Sequence, residues 1–249
     1  MHVSDIPLDK NCQVIEYHDS GIWILDKAPG VLSHPNEKKS ANFKQKTLLR
    51  ADYCMQTEKY TWDSDCGTHE FYLCHRLDSP TSGIIIGCND ANIATEIKNA
   101  FSKRRIQKTY LAVTQGYNSA RMGRWQDQLS ERKKAGKLRV QKGNDEQAVT
   151  IASRERMHKG RFKLNLLKLK PLTGRTHQLR YQCMVRKMPI LGDKTYGDFS
   201  LNRQFTKATK IDRLCLHASE IEFEIKVNNE ILKIQAESPL PRQLGKLFT

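Results

Sequence analysis

The chain has 249 residues, of which 38% are hydrophobic, enough for one large domain or two small ones with a buried core. No run approaches the roughly 20 consecutive apolar residues that a helical membrane span needs, and Met1–Lys10 lacks the basic-then-apolar order of a signal peptide, so the expected location is the cytoplasm. Lys and Arg number 42 against 27 Asp and Glu, a formal charge of +15 that repels itself unless a polyanion neutralises it, which makes nucleic acid the first partner class. A membrane surface comes second, because no basic amphipathic helix with an aromatic face is visible.

In chain order, Val14–Tyr17 and Ile22–Asp26 are predicted strands around the turn His18-Asp19-Ser20-Gly21. Lys27-Ala28-Pro29-Gly30 then forms a turn, and Val31–Pro35 continues extended. Residues 36–70 are polar and read as irregular, with a short helix near 44–56. Ile84–Cys88 is a predicted buried strand. A helix follows, capped by Asn89 or Asp90, with Ile93, Ile97, Ala100 and Phe101 on one face, and it ends at Lys103-Arg104-Arg105. Lys108–Gln115 alternates like a strand, and the charged stretch 119–146 reads as a surface hairpin or mobile arm. Ala148–Ser153 and Phe162–Lys170 pair as strands, and Thr176–Arg186 suits a helix with Leu179, Cys183 and Met184 inward. Leu214–Val227 and Ile231–Ala236 form a last hairpin around Asn228-Asn229. Many strands with few helices and short turns imply an α+β domain on a largely antiparallel mixed sheet with flanking helices.

Seven cysteines, at 12, 54, 66, 74, 88, 183 and 215, include no C-x-x-C pair, so neither a disulfide framework nor a zinc ribbon is expected. Cys66, His69, Cys74 and His75 lack a second ligand pair of matching spacing, and no metal site is expected there.

Three groups of residues could carry chemistry. Asp78 lies in His75-Arg76-Leu77-Asp78-Ser79-Pro80-Thr81-Ser82-Gly83, on a turn just before an apolar strand. A carboxylate so placed is either a rigidly presented nucleophile or base, or a plain turn cap. Thr173-Gly174-Arg175-Thr176-His177-Gln178-Leu179-Arg180 sets two arginines around a predicted helix start, where anions are favoured. An inward Arg180 needs a buried anion, for which Asp78 is a natural partner; the alternative is two solvated arginines. Tyr110, in Lys108-Thr109-Tyr110, is either half-buried core or a ring for stacking on an unpaired base.

Together these segments resemble the RluA family of RNA pseudouridine synthases. His75–Gly83 is similar to its H-R-L-D-x-x-T-S-G signature, and Lys108–Ala112 to its K-x-Y-x-A strand. Thr173–Arg180, with Pro189-Ile190-Leu191-Gly192-Asp193 and Tyr196-Gly197, matches T-G-R-x-H-Q-L/I-R and P-I-x-G-D-x-x-Y-G, and Arg213–Ala218 its late R-L-x-L-H-A strand. The resemblance covers roughly residues 14–241 and implies an N-terminal extension over 1–13 and a single catalytic domain over 14–249. Met1–Gln13 is too short for an S4-type RNA-binding domain, so none is expected. Three departures stand out: the proline of Lys27-Ala28-Pro29-Gly30 falls one place late, Ser79 replaces a basic residue, and Arg186-Lys187-Met188 stands where a Gly-His pair is common.

The resemblance implies an isomerase that breaks the glycosidic bond of an RNA uridine, turns the uracil and rejoins it through carbon, without cofactor or metal. It implies Asp78 as the essential carboxylate, acting on the sugar by direct attack or by proton removal. It implies Tyr110 stacked on the base, and Arg180 paired with the carboxylate. Arg76 would fill the space left by the flipped nucleotide, and Arg175, His177 and Gln178 would contact substrate or its supporting shell. Ser79-Pro80 and Asp198–Arg203 are more like the TruC-like branch, which modifies transfer RNA, so a transfer RNA stem-loop is expected ahead of a ribosomal one, with 121–142 choosing the RNA and no obligate protein partner. A non-catalytic RNA-binding or RNA-chaperone protein is the alternative, and a basic DNA-binding protein has only the charge in its favour.

Overall fold

The computed structural model describes residues 6–36, 45–116, 122–134, 137–227 and 230–249. The chain divides into two compact units, one formed by residues 1–106 and 220–238, the other by 107–219 and 239–249.

In the first unit, β1 (Gln13–His18) and β2 (Ile22–Lys27) form the expected hairpin. β2 pairs antiparallel with β6 (Ser82–Cys88), setting Ile24 opposite Ile86 and Lys27 opposite Gly83. Every residue of β6 is buried, which is why it reads as a continuous apolar run rather than an alternating one. The helix α1 (Ala91–Ser102) is capped by Asp90, whose carboxylate accepts from the N–H groups of Asn92 and Ile93. It buries Ala94, Ile97 and Ala100 against Ile22, Ile24, Ile84 and Ile86. Ile221, Phe223 and Ile225 of β12 (Leu216–Val227) and Ile234 of β13 (Glu230–Glu237) join the same core. The expected hairpin between these two strands is present; its Asn228-Asn229 turn lies outside the described residues.

Residues 45–73 correct the sequence reading. No helix forms over 45–56; a meander of β3 (Asp52–Cys54), β4 (Lys59–Ser64) and β5 (Gly67–Leu73) occupies the segment, and β5 continues onto β6. Its apolar anchors are few, Tyr60, Phe71 and Leu73, and polar residues between them mask the period-2 signal. Gly87 of β6 is required here, because a Cβ at that position would lie 1.9 Å from Phe71 Cζ.

The second unit is an antiparallel sheet in the order β7 (Gln107–Gln115), β11 (Leu164–Pro171), β10 (Glu146–His158), β8 (Gly123–Lys134), β9 (Lys137–Lys142). The charged stretch 119–146 is thus a hairpin of two strands, its residues 119–121 and 135–136 lying outside the described ones. The helix α2 (Gln178–Val185) buries Leu179 and Cys183 with Ala112, Val113, Leu167 and Leu169, while Met184 packs beside Leu129, Val140 and Tyr181. A helix that the sequence reading missed, α3 (Phe199–Thr209), begins at an Asp198 cap and buries Phe205. It offers few apolar residues, which left its period faint. The chain closes with the short helical turn α4 (Arg242–Gly245), whose Leu244 enters the same core.

Candidate active site

The run 75–83 is fastened on both sides. Thr81 N–H donates to the Asp78 carbonyl at 3.0 Å, closing a turn over Ser79-Pro80, and Gly83 has φ +108°, a region that disfavours any side chain. Upstream, the Ile86 N–H donates to His75 Nε2 at 3.0 Å, and the His75 ring packs on Phe101 of α1 at 4.6 Å. The Asp78 side chain is half-buried.

The turn that follows β2, Lys27–Gly30, braces the Asp78 loop. Lys27 is fully buried, and its ammonium donates to the carbonyls of Ala28 (3.1 Å), Val31 (2.7 Å) and Ser79 (3.1 Å). Such a charge is tolerated away from water only because acceptors surround it. Gly30 N–H donates to the same Ser79 carbonyl at 2.8 Å, so the residue after Asp78 is held twice. Ser33 adds a reciprocal pair: its hydroxyl donates to the Leu77 carbonyl (3.0 Å) and accepts from the Leu77 N–H (3.1 Å). Tyr60 OH donates to the Ser33 carbonyl at 2.8 Å, and burial pushes its phenol well above the ordinary range. Arg76 is exposed, and its Nη1 donates to His34 Nε2 at 3.4 Å.

In the second unit, Tyr110 lies half-buried on β7, opposite Leu169 of β11. Lys108, two residues earlier and therefore on the same strand face, has its ammonium pKa lowered by burial. The Thr173–Arg180 motif is a knot built on Gln178. Its Oε1 accepts from Thr173 Oγ1 (2.7 Å) and the Arg175 N–H (3.1 Å), and its Nε2 donates to the Val149 carbonyl (3.0 Å) and Thr150 Oγ1 (2.9 Å). These four bonds fill the capacity of a carboxamide; Gln178 ties the turn to β10. Arg175 reaches Glu146 Oε1 at 2.6 Å, a partly exposed pair. His177 takes a left-handed backbone, φ 53°, and its Nδ1 meets Tyr196 OH at 3.0 Å. The same hydroxyl accepts from the Val140 N–H at 2.7 Å, joining His177 to β9.

Arg180 is buried, as an inward position requires, and the acid that binds it within this unit is Asp193. Arg180 Nε donates to Asp193 Oδ2 at 2.8 Å and Nη2 to Oδ1 at 2.9 Å, with side-chain exposures of 5% and 1%. Burial alone would raise the Asp193 pKa; hydrogen bonds and charge from Arg180, with the N–H groups of Tyr196 and Thr195, outweigh it and hold the carboxyl below its ordinary value. The Tyr196 ring lies 5.3 Å below the guanidinium. Asp193 and Tyr196, like Lys27 and Ser33, are positioning residues to which the sequence reading assigned no role. Their signal was present, since Lys27, Asp193 and Tyr196 stand inside short Gly-containing turns, but a turn residue and an anchor look alike in one sequence.

The profile of the family described as RNA pseudouridylate synthase matches residues 21–184. The chain is 33% identical over 231 residues to tRNA pseudouridine synthase C of Vibrio cholerae, and 32% identical over 233 residues to the protein of that name from Vibrio parahaemolyticus, in each case covering 89% of both chains. It is 30% identical over 227 residues to the ribosomal large subunit pseudouridine synthase D of Borreliella burgdorferi, covering 91% of this chain and 64% of that one. Among solved structures, it is similar to human RNA pseudouridylate synthase domain containing 1, with a TM-score of 0.64 at 22% identity, covering 94% of this chain and 86% of that chain.

Proposed function

We propose a substrate and a division of labour for a chain that belongs to the RNA pseudouridylate synthase family and is thereby an isomerase converting uridine to pseudouridine in RNA. Its substrate is a uridine in a transfer RNA stem-loop. Support comes from the relatives matched along 89% of both chains, which are named as transfer RNA enzymes, whereas the ribosomal enzyme corresponds over 64% of its length. The chain acts in the cytoplasm, where its seven unpaired cysteines suit a reducing compartment, and needs no cofactor, because the isomerisation is redox-neutral and loses no group.

Asp78 is the residue that acts on the sugar. The observation that carries this reading is the bracing of its turn: a buried ammonium, a serine hydroxyl and two backbone N–H groups hold residues 77–79 so that one carboxylate is presented in a fixed place. Attack on C1′ breaks the glycosidic bond and leaves a sugar ester; removal of the C2′ proton leaves a glycal. Either way uracil leaves as an anion, turns, and rejoins C1′ through C5, which expels the Asp78 carboxylate from the ester or, on the glycal route, takes the proton back onto C2′ from Asp78; the C5 proton is then lost. Tyr110 stacks on the ring and assists that last proton transfer. Arg180, its plane fixed by Asp193, supplies positive charge to the chemistry, and Arg76 supports the stack opened by the extruded base. Arg175, His177 and Gln178 shape the loop that carries Arg180. A non-catalytic RNA-binding role is disfavoured by the intact set of Asp78, Tyr110 and Arg180.

Tritium release from 5-tritiated uridine in transfer RNA transcripts tests the reading. Wild-type protein should release tritium and Asp78→Asn should not, with its unfolding curve and RNA affinity kept. Release from ribosomal transcripts alone would overturn the choice of substrate, and full activity in Asp78→Asn would overturn the role of the carboxylate.

A further inference from the structure

Beside the Asp78 turn, three aromatic rings in the first unit form a ladder. Tyr60, fully buried, packs on Tyr53 with ring centroids 4.6 Å apart; Tyr53 stacks on His34 at 5.2 Å with the planes 11° from parallel. Tyr53 and His34 are each half-buried, so the ladder climbs from the core toward solvent. The outermost ring is fixed edge-on. His34 Nδ1 is 2.8 Å from the Pro35 carbonyl, which can only accept, so Nδ1 carries the proton. Nε2 is then the acceptor for Arg76 Nη1, which can only donate. One hydrogen bond at each ring nitrogen and one stacked ring behind it determine the plane of His34. An exposed contact of this kind adds little to stability. A rigid ring with a guanidinium at its edge, on a chain of charge +15, suits an unpaired base and its phosphate.

We propose that His34, backed by Tyr53 and edged by Arg76, is a stacking seat for an unpaired RNA base next to the nucleotide that Asp78 engages. The proposal rests on the reading that RNA is the substrate. Arg76 is two residues from Asp78, so a base held on this ladder neighbours the reacting one along the strand. His34 and Tyr53 are thereby specificity residues, and neither touches the reacting atoms.

The test compares binding of a decauridylate and of a ten-residue abasic ribose-phosphate chain at one salt concentration, by fluorescence anisotropy. Wild-type protein should bind the base-bearing chain roughly tenfold tighter. His34→Ala should lower that ratio at least threefold while its affinity for the abasic chain stays within twofold. His34→Phe, which keeps a ring but loses the edge contact, should retain most of the ratio. An unchanged ratio in His34→Ala, or equal weakening toward both chains, overturns the proposal. If His34→Ala does not fold, His34→Gln, which keeps polar edges without a ring, decides by the same ratio. Tritium release by the wild-type protein, scored in parallel, reports separately: a silent enzyme with an intact ratio effect would overturn the catalytic reading and leave the stacking seat standing.

Discussion

Replacing Asp193 with Asn isolates the buried ion pair of the second unit. The substitution keeps Oδ1 as an acceptor for the N–H groups of Thr195 and Tyr196, but puts an NH2 where Oδ2 accepted from Arg180 Nε. A guanidinium with only 5% of its side chain exposed then loses the charge of Asp193. Breaking such a pair from one side costs about 3–5 kcal/mol, a large share of the roughly 5–15 kcal/mol that holds a domain together. With a urea dependence near 2 kcal/mol per molar, the unfolding midpoint at pH 7 should fall by about 1.5–2.5 M. The acid limb adds a second signature. The Asp193 carboxyl sits below its ordinary value, so its stabilisation is complete above the unfolded pKa of about 3.9 and drains as pH falls through the folded one. The gap between wild type and Asp193→Asn should therefore narrow below about pH 4. A midpoint shift under 0.5 M at pH 7 (about 1 kcal/mol), or a gap that is constant down to pH 2, would refute the reasoning.

Lys27→Met removes the ammonium from three carbonyls; stability should fall by about 2–4 kcal/mol by urea titration, and tritium release should fall more than RNA affinity, because the Ser79 anchor beside Asp78 loosens. Gly87→Ala should cost about 1–3 kcal/mol through the Phe71 clash, and Phe71→Leu in the same chain should recover part of it. Tyr110→Phe keeps a stacking ring but removes a proton-transfer group, so kcat should drop roughly 100-fold or more with KM little changed. Tyr196→Phe frees the Val140 N–H, and hydrogen exchange at Val140 should quicken while the rest of β8 and β9 keeps its protection.

What could be read from the sequence followed the strength of the local pattern. The uninterrupted Ile84-Ile85-Ile86 run, the helix start at Asn89 or Asp90 and the alternation in Lys108–Gln115 each mark an element that is observed, with Asp90 as the cap of the helix. The meander over 52–73 was hidden because its strands are short and half-solvated, with Tyr60, Phe71 and Leu73 its few buried anchors. The helix α3 escaped because Phe205 alone is buried along its 11 residues. At the candidate site, Asp78, Tyr110 and Arg180 were visible as residue types in tight motifs. What steadies them was not, because Lys27–Ser79, Ser33–Leu77 and Arg180–Asp193 are contacts between sequence-distant groups. One chain of letters marks the charged group; only the fold names its counterpart.

The concealment of Lys27 also turns the Asp78 loop into its own clock. An acylating reagent cannot reach an amine with no exposed surface, so Lys27 can be modified only in the moments when the loop lifts away. Its labelling rate, set against that of an exposed lysine such as Lys194, measures how often the loop comes open in the native protein. Adding RNA should slow that rate in proportion to occupancy, giving a label-based readout of substrate engagement that needs no turnover.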